Sequence, residues 1–130
     1  MAGERILVVD DNDMNVKLLR WLLEKHGYAV HTACDAQTAR EGMRVHRPQL
    51  VLMDIQLPDI DGLQLTREFK ADPQLRSIPI VAVTSYAMKG DRQRTVDAGC
   101  DGYITKPIDT KQLPMEIEKY LKGGRNGESA

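Results

Sequence analysis

The chain has 130 residues and a formal net charge of −1, from 18 basic and 19 acidic side chains. This length suits one domain with a hydrophobic core, and the charge balance excludes a general attraction to nucleic acids or anionic membranes. No apolar run is long enough to span a bilayer, the segment "MAGERILVV" lacks the pattern of a signal peptide, and Cys34 and Cys100 are isolated, so we expect a cytoplasmic protein with free thiols.

The first half of the chain alternates between strand and helix patterns. The apolar run at 5–10 predicts a buried strand, and 13–27 has the spacing of an amphipathic helix that ends on a glycine. Apolar and polar residues alternate over 28–33, which is typical of a half-exposed edge strand. A helix is predicted at 35–48, and a second buried strand follows at 50–54.

The second half continues this alternation. Its predicted elements are a helix at 61–72, a buried strand at 78–85, a polar and weaker helix at 88–99, a short strand at 102–106 and a last helix at 109–123. Pro114 is compatible with the last helix only in its first turn. Alternating strands and helices predict an α/β fold, with an open parallel sheet of five strands and helices on both faces.

We expect one domain over residues 1–122. The last segment, 123–130, contains small and polar residues with no large apolar side chain to pack, so we expect a flexible tail.

Polar residues stand at the carboxyl ends of four predicted strands. These residues are Asp10, Asp11, Asp54, Thr84 and Lys106. The carboxyl ends of parallel strands share one edge of the sheet, where ligands bind in open α/β sheets, so we expect these side chains to converge there. A single aspartate at such a place is usually a turn or cap residue, and we assign that role to Asp35, Asp61 and Asp109.

The converging groups suggest a chemistry. Clustered carboxylates need a counter-charge, and Mg²⁺ prefers a few carboxylates together with water and phosphate. Asp54 stands alone after a central strand and is the candidate nucleophile, whereas Asp10 and Asp11 form a pair suited to holding a metal. Lys106 is suited to pairing with a phosphoryl oxygen, and Thr84 offers a hydroxyl donor.

Four segments together resemble the receiver domain of two-component response regulators: "ILVVDDNDMN", "VLMDIQLPDIDG", "IVAVTSYAMKGD" and "AGCDGYITKPI". The resemblance extends from Arg5 to Leu121, in the same order and spacing as in the family. It is closest to single-domain regulators of bacterial cell division and to receivers of hybrid histidine kinases. It implies a flavodoxin-like fold with strand order 2-1-3-4-5.

The resemblance also implies roles for the clustered side chains. Asp54 matches the residue that is phosphorylated, and Mg²⁺ would be held by Asp10, Asp11, Asp54 and the backbone carbonyl of Gln56. Lys106 matches the lysine that pairs with a phosphoryl oxygen.

Two further positions match the family's conformational switch. Thr84 matches the hydroxyl that bonds the new phosphoryl group, and Tyr103 matches the aromatic residue that moves with it. The implied partners are a histidine kinase or histidine phosphotransfer protein and a downstream protein effector or kinase, without nucleic acid or membrane.

The first helix has apolar residues on two sides. Leu19 and Leu23 belong to an inward stripe, whereas Met14 and Leu18 point largely away from it. We predict a docking surface for the phosphohistidine-bearing protein, formed by Met14, Asn15, Leu18 and Pro107. Scattered exposed apolar residues are the alternative, and they are common on protein surfaces.

Other functions stay open at this point. The chain could be a stand-alone regulator, as Met1 favours, or a receiver excised from a hybrid kinase or larger regulator. An aspartate-based phosphohydrolase would share the sheet, but it usually has a second aspartate where this chain has Gln56. An interaction domain with an inactive acidic pocket is a third possibility. We expect no enzyme activity beyond the chain's own phosphorylation and slow dephosphorylation.

Overall fold

A computed structural model describes residues 3–57, 60–84, 89–106 and 108–122, with the backbone alone at 89–92. Pro107 and the predicted tail at 123–130 lie outside the described residues. Strands and helices alternate in the order β1 Arg5–Val9, α1 Asp13–Lys25, β2 Ala29–Ala33, α2 Ala36–His46, β3 Leu50–Asp54, α3 Gly62–Ala71, β4 Ile80–Thr84, α4 Lys89–Ala98, β5 Gly102–Thr105 and α5 Leu113–Leu121.

The strands form one parallel sheet in the order β2-β1-β3-β4-β5. This is the predicted architecture, and it places β2 at an edge, as its alternating pattern indicates. The central strands β3 and β4 are buried along their whole length, because helices cover both faces of the sheet.

Two apolar layers hold the helices to the sheet. On one face, Leu19 and Leu23 of α1 and Ile117 of α5 pack against alternate strand residues. On the other face, Met43 of α2 and Phe69 of α3 do the same. Each strand sends successive side chains to opposite faces, so one apolar run contributes to both layers.

The helices differ from the predicted ranges mainly at their ends. The largest difference is in α5, which begins at Leu113 and not at residue 109. Pro114 lies in the first turn of the shorter helix, where its missing N–H is tolerated, and a helix from 109 would have placed it in the second turn. Gly27 follows the end of α1 with a φ angle of 92°, which favours glycine. In the described part of the chain, no helix has the length and apolar character needed to cross a membrane.

Candidate functional site

The register of the sheet places two aspartates side by side. Val9 pairs with Met53 on the neighbouring strand, so the next residues, Asp10 and Asp54, leave the sheet next to each other. Both side chains are almost fully buried, with exposed fractions of 2% and 3%. The predicted convergence of the strand ends on β1 and β3 is therefore confirmed.

The two buried carboxylates are held in the same way. Oδ1 of Asp10 accepts a hydrogen bond of 2.9 Å from the backbone N–H of Asn12, and Oδ1 of Asp54 accepts one of the same length from Gln56. Both bonds run to the second residue further along the chain, which orients each carboxylate without using a distant side chain. The Oδ2 atoms stay available to the centre of the site.

Lys106 follows β5, which is two strands from β3 in the sheet, and its side chain extends to this pair of carboxylates. Its Nζ lies 3.5 Å from Oδ2 of Asp54 and 3.6 Å from Oδ2 of Asp10, and the side chain is 16% exposed. One ammonium group thus faces two carboxylates, which leaves the pocket with excess negative charge. The predicted position of Lys106 is confirmed.

Asp11 adds a third carboxylate from the exposed side. One oxygen from each of Asp10, Asp11 and Asp54 lies within 4.8 Å of the other two. Hard oxygen donors in this number suit Mg²⁺, which takes its remaining ligands from water or phosphate. Gln56 lies beside the group through the bond from its N–H to Asp54.

The acidic pocket perturbs the titration of Asp54. Burial raises the pKa of the Asp54 carboxyl from 3.8 to about 6, and the neighbouring Asp10 adds to the rise. The Gln56 N–H and the Lys106 ammonium act in the opposite direction. Burial is the larger cause because it withdraws the charged form from water.

Thr84 is the last residue of β4, the strand between those that lead to Asp54 and to Lys106. β4 lies between β3 and β5, and Asp54 pairs with Val83, the residue just before Thr84. Thr84 is fully buried, and its carbonyl accepts a hydrogen bond of 2.8 Å from the N–H of Lys106. Thr84 therefore stands at the predicted edge with the charged residues.

Tyr103 lies on β5, in register with Ala82. Its side chain is half-buried and lines a cavity of about 310 Å³ with Ile108, Gln112 and Glu116. It is thus placed on the side of the sheet edge that adjoins α5. Its predicted motion stays a prediction.

Asp61 and Gly62, at the start of α3, make contacts beyond the helix cap that the sequence predicted. Asp61 caps α3 as predicted, but it also binds Arg94 of α4, with 3.2 Å between Oδ2 and the guanidinium. A Cβ atom at Gly62 would lie 2.6 Å from the Cα of Ile55 and would also collide with the carbonyl oxygen of Asp54. The "DG" pair after a strand was a visible signal for a close approach of backbone, whereas nothing in the sequence singled out Arg94.

Three of the four predicted docking residues lie in the first half of α1, which follows Asp10 and Asp11 in the chain. Met14 is 76% exposed and Leu18 is 37% exposed, and Asn15 is partly buried. Pro107, the fourth predicted docking residue, lies outside the described part of the chain. The exposure of Met14 and Leu18 agrees with a surface role without identifying a partner.

Comparison with known proteins gives a consistent result. The family model described as "Response regulator receiver domain" matches residues 6–118. The polar-differentiation response regulator DivK of Brucella anthropi is 45% identical over 116 residues, which cover 89% of this chain and 94% of that protein.

Solved structures with the same fold include two receiver domains. The receiver domain of a sensor histidine kinase from Pseudomonas aeruginosa is 34% identical with a TM-score of 0.85, covering 93% of this chain and 99% of that one, and it has a magnesium ion coordinated in its active-site cleft. A CheY-like receiver domain protein from Methanospirillum hungatei is 31% identical with a TM-score of 0.85, covering 95% and 97% of the two chains.

Proposed function

The chain belongs to the family of response regulator receiver domains, and we propose that Asp54 is the residue on which it accepts a phosphoryl group. The observation that carries this proposal is the buried Asp54 carboxylate beside a second buried carboxylate, with Nζ of Lys106 3.5 Å from its Oδ2. A buried carboxylate at the end of a rigid strand, beside a cation, can act as an oriented nucleophile.

Asp10, Asp11 and Asp54 would hold a Mg²⁺ ion, with the carbonyl of Gln56 as a further ligand. The fit rests on three convergent carboxylate oxygens and a single facing ammonium in the described pocket. When bound, Mg²⁺ supplies positive charge that stabilises the oxygens of the phosphoryl group during transfer. The magnesium ion in the related kinase receiver domain supports this assignment.

The protein's own side chains would divide the work of transfer. A carboxylate oxygen of Asp54 attacks the phosphorus of a phosphohistidine, the P–N bond breaks, and the imidazole leaves with the electron pair. Lys106 reaches the site with its ammonium and stabilises negative charge on the phosphoryl oxygens. The hydrogen bond from Gln56 to Oδ1 keeps the carboxylate in one orientation as it reacts.

Thr84 and Tyr103 would form the switch. Thr84 is the last residue of β4, which lies between β3 and β5, and its hydroxyl would donate to the new phosphoryl group. Phosphorylation adds charge and acceptor oxygens at this edge, and Tyr103 would then change its packing beside α5. The surface near β5 would change its affinity for a downstream protein.

Docking would occur through the start of α1. Met14 and Leu18 offer exposed apolar surface on α1, which follows Asp10 and Asp11 in the chain, and Asn15 lies between them in sequence, with Pro107 as a fourth predicted contact. The partner class is a histidine kinase or a histidine phosphotransfer protein, and the site of action is the cytoplasm. The chain would act catalytically only on its own phosphorylation and slow dephosphorylation.

The direct test is intact mass after incubation with acetyl phosphate and Mg²⁺. The wild-type chain should gain the mass of one phosphoryl group, and Asp54→Asn should gain none. Asp35→Asn is the matched control, because Asp35 is a partly exposed aspartate that caps α2 and is not one of the three clustered carboxylates. Modification of Asp54→Asn at the wild-type rate would exclude the assignment, and many turnovers of substrate without a stable product would favour the phosphohydrolase.

A further inference from the structure

An ion pair connects α4 to the loop that follows the proposed phosphoacceptor. The guanidinium of Arg94 lies 3.2 Å from Oδ2 of Asp61, with side chains 55% and 43% exposed. Oδ1 of Asp61 accepts a hydrogen bond of 2.8 Å from the N–H of Leu63 and so caps α3. One carboxylate thus fixes the start of α3 and a point on α4.

Asp61 is also tied to Asp54 through backbone contacts. Asp61 forms an isolated antiparallel bridge with Gln56, and the next residue, Gly62, donates a hydrogen bond of 3.0 Å to the carbonyl of Ile55. The N–H of Gln56 in turn bonds Oδ1 of Asp54. A change at the Asp54 carboxylate therefore reaches Asp61 through a short series of direct contacts.

The side chains of α4 that the structure describes bury little apolar surface. Among its described side chains, from residue 93 to residue 98, only Thr95 and Ala98 are buried, and Val96 is 62% exposed. Both buried side chains are small, so they contribute little apolar area to the free energy that holds the helix. An exposed ion pair contributes little free energy, but a small contribution is enough to shift the position of a helix with so little buried apolar area by a few-fold in population.

We propose that Arg94 is a positioning residue, which through Asp61 stabilises the arrangement of α4 that accompanies unmodified Asp54. This inference rests on the proposed function. A phosphoryl group on Asp54 adds charge and bulk to the carboxylate whose Oδ1 accepts the Gln56 N–H, and in this proposal the loop and Asp61 shift in response, against the pair. Weakening the pair lowers the cost of that readjustment, and by linkage the activated state then forms more readily.

The test is a titration with beryllofluoride, which mimics the phosphoryl group, in the presence of Mg²⁺. The variants are Arg94→Gln, Asp61→Asn and the double substitution, since asparagine keeps the helix cap while it removes the charge. Arg20→Gln is the matched control, because Arg20 and Glu24 on α1 form an ion pair of 3.3 Å with side chains 50% exposed. The readouts are the half-saturating concentration, followed by backbone amide NMR signals, and amide hydrogen exchange in α4 of the unliganded protein.

Each single variant should bind beryllofluoride about two- to five-fold more tightly, and the double variant should gain no more than one of them. Amide exchange in α4 should also become faster before the mimic is added, and Arg20→Gln should leave both readouts unchanged. If Arg94→Gln binds beryllofluoride no more tightly than a wild type that responds normally, the role of Arg94 is overturned and the proposed function stands. No wild-type response overturns the proposed function and this inference with it.

Discussion

The ionised carboxylate of Asp54 should destabilise the metal-free protein, and Asp54→Asn should therefore stabilise it. The pKa of Asp54 is raised from 3.8 to about 6. At pH 8 the group is ionised in both the folded and the unfolded chain, and this shift of about two units corresponds to about 3 kcal/mol of unfavourable free energy in the folded state. Asparagine keeps an oxygen for the Gln56 N–H and removes the charge.

The sign of the pH dependence follows from the direction of the shift. Because the pKa is higher in the folded protein, the contribution of Asp54 to stability is fully present below about pH 4 and is lost as the pH rises through 6. The stability difference between Asp54→Asn and wild type should therefore be about 3 kcal/mol at pH 8 and should shrink towards zero near pH 4. For a domain of this size, the pH 8 value corresponds to about 10 °C in Tm.

The assay is urea unfolding in EDTA at several pH values between 4 and 8. Asp35→Asn is the control of opposite sign, because hydrogen bonds from Thr38 lower the pKa of Asp35, and this substitution should bring no gain at pH 8. Mg²⁺ should raise the Tm of the wild type more than that of Asp54→Asn. Equal stability of variant and wild type at pH 8, or a difference that does not change with pH, would refute the reasoning.

Three further results are expected. Gly62→Ala should lower the free energy of unfolding by about 1–3 kcal/mol in urea titrations, because a Cβ there lies 2.6 Å from the Ile55 Cα and the backbone beside Asp54 must shift. At pH 8 a maleimide should modify exposed Cys34 quickly and Cys100 slowly. Burial raises the pKa of the Cys100 thiol to about 11, so that about one thousandth of it is thiolate at this pH. Equal rates of modification, followed by peptide mass, would contradict this. Leu18→Asp should slow phosphotransfer from a phosphohistidine protein about tenfold and leave the acetyl phosphate reaction unchanged, so slowing of both reactions would argue against a docking role.

The order of the elements and the convergence of the strand ends could be predicted because they depend on local patterns and on topology. An apolar run without alternation indicates a strand covered on both faces, and β3 and β4 are such strands. Once the strands are parallel, the residues after them must share an edge, and this placed Asp10, Asp54 and Lys106 together before any distance was known.

The contacts that the sequence did not reveal join side chains from separate elements. Lys70 of α3 is an example, since its Nζ lies 2.8 Å from a buried oxygen of Asp101, just before β5. The stacking of His31 on His46, with ring centroids 3.6 Å apart, is another. Such pairs depend on the packing of particular side chains, which periodicity does not encode. The start of α5 could have been predicted correctly, because proline is tolerated only in the first turn of a helix, and Pro114 therefore indicates a start near residue 113.

The free-energy cost of burying the Asp54 charge both destabilises the metal-free protein and favours the binding of a cation. A cation that neutralises Asp54 in the folded chain removes the cost of burying its charge, and the unfolded chain has no such cost to remove. The same oxygens on an exposed loop would titrate normally and would bind the cation less tightly. Substitutions that admit water beside Asp54 should therefore raise the stability of the metal-free protein and weaken cation binding together, whereas a purely structural acidic cluster would show no such correlation.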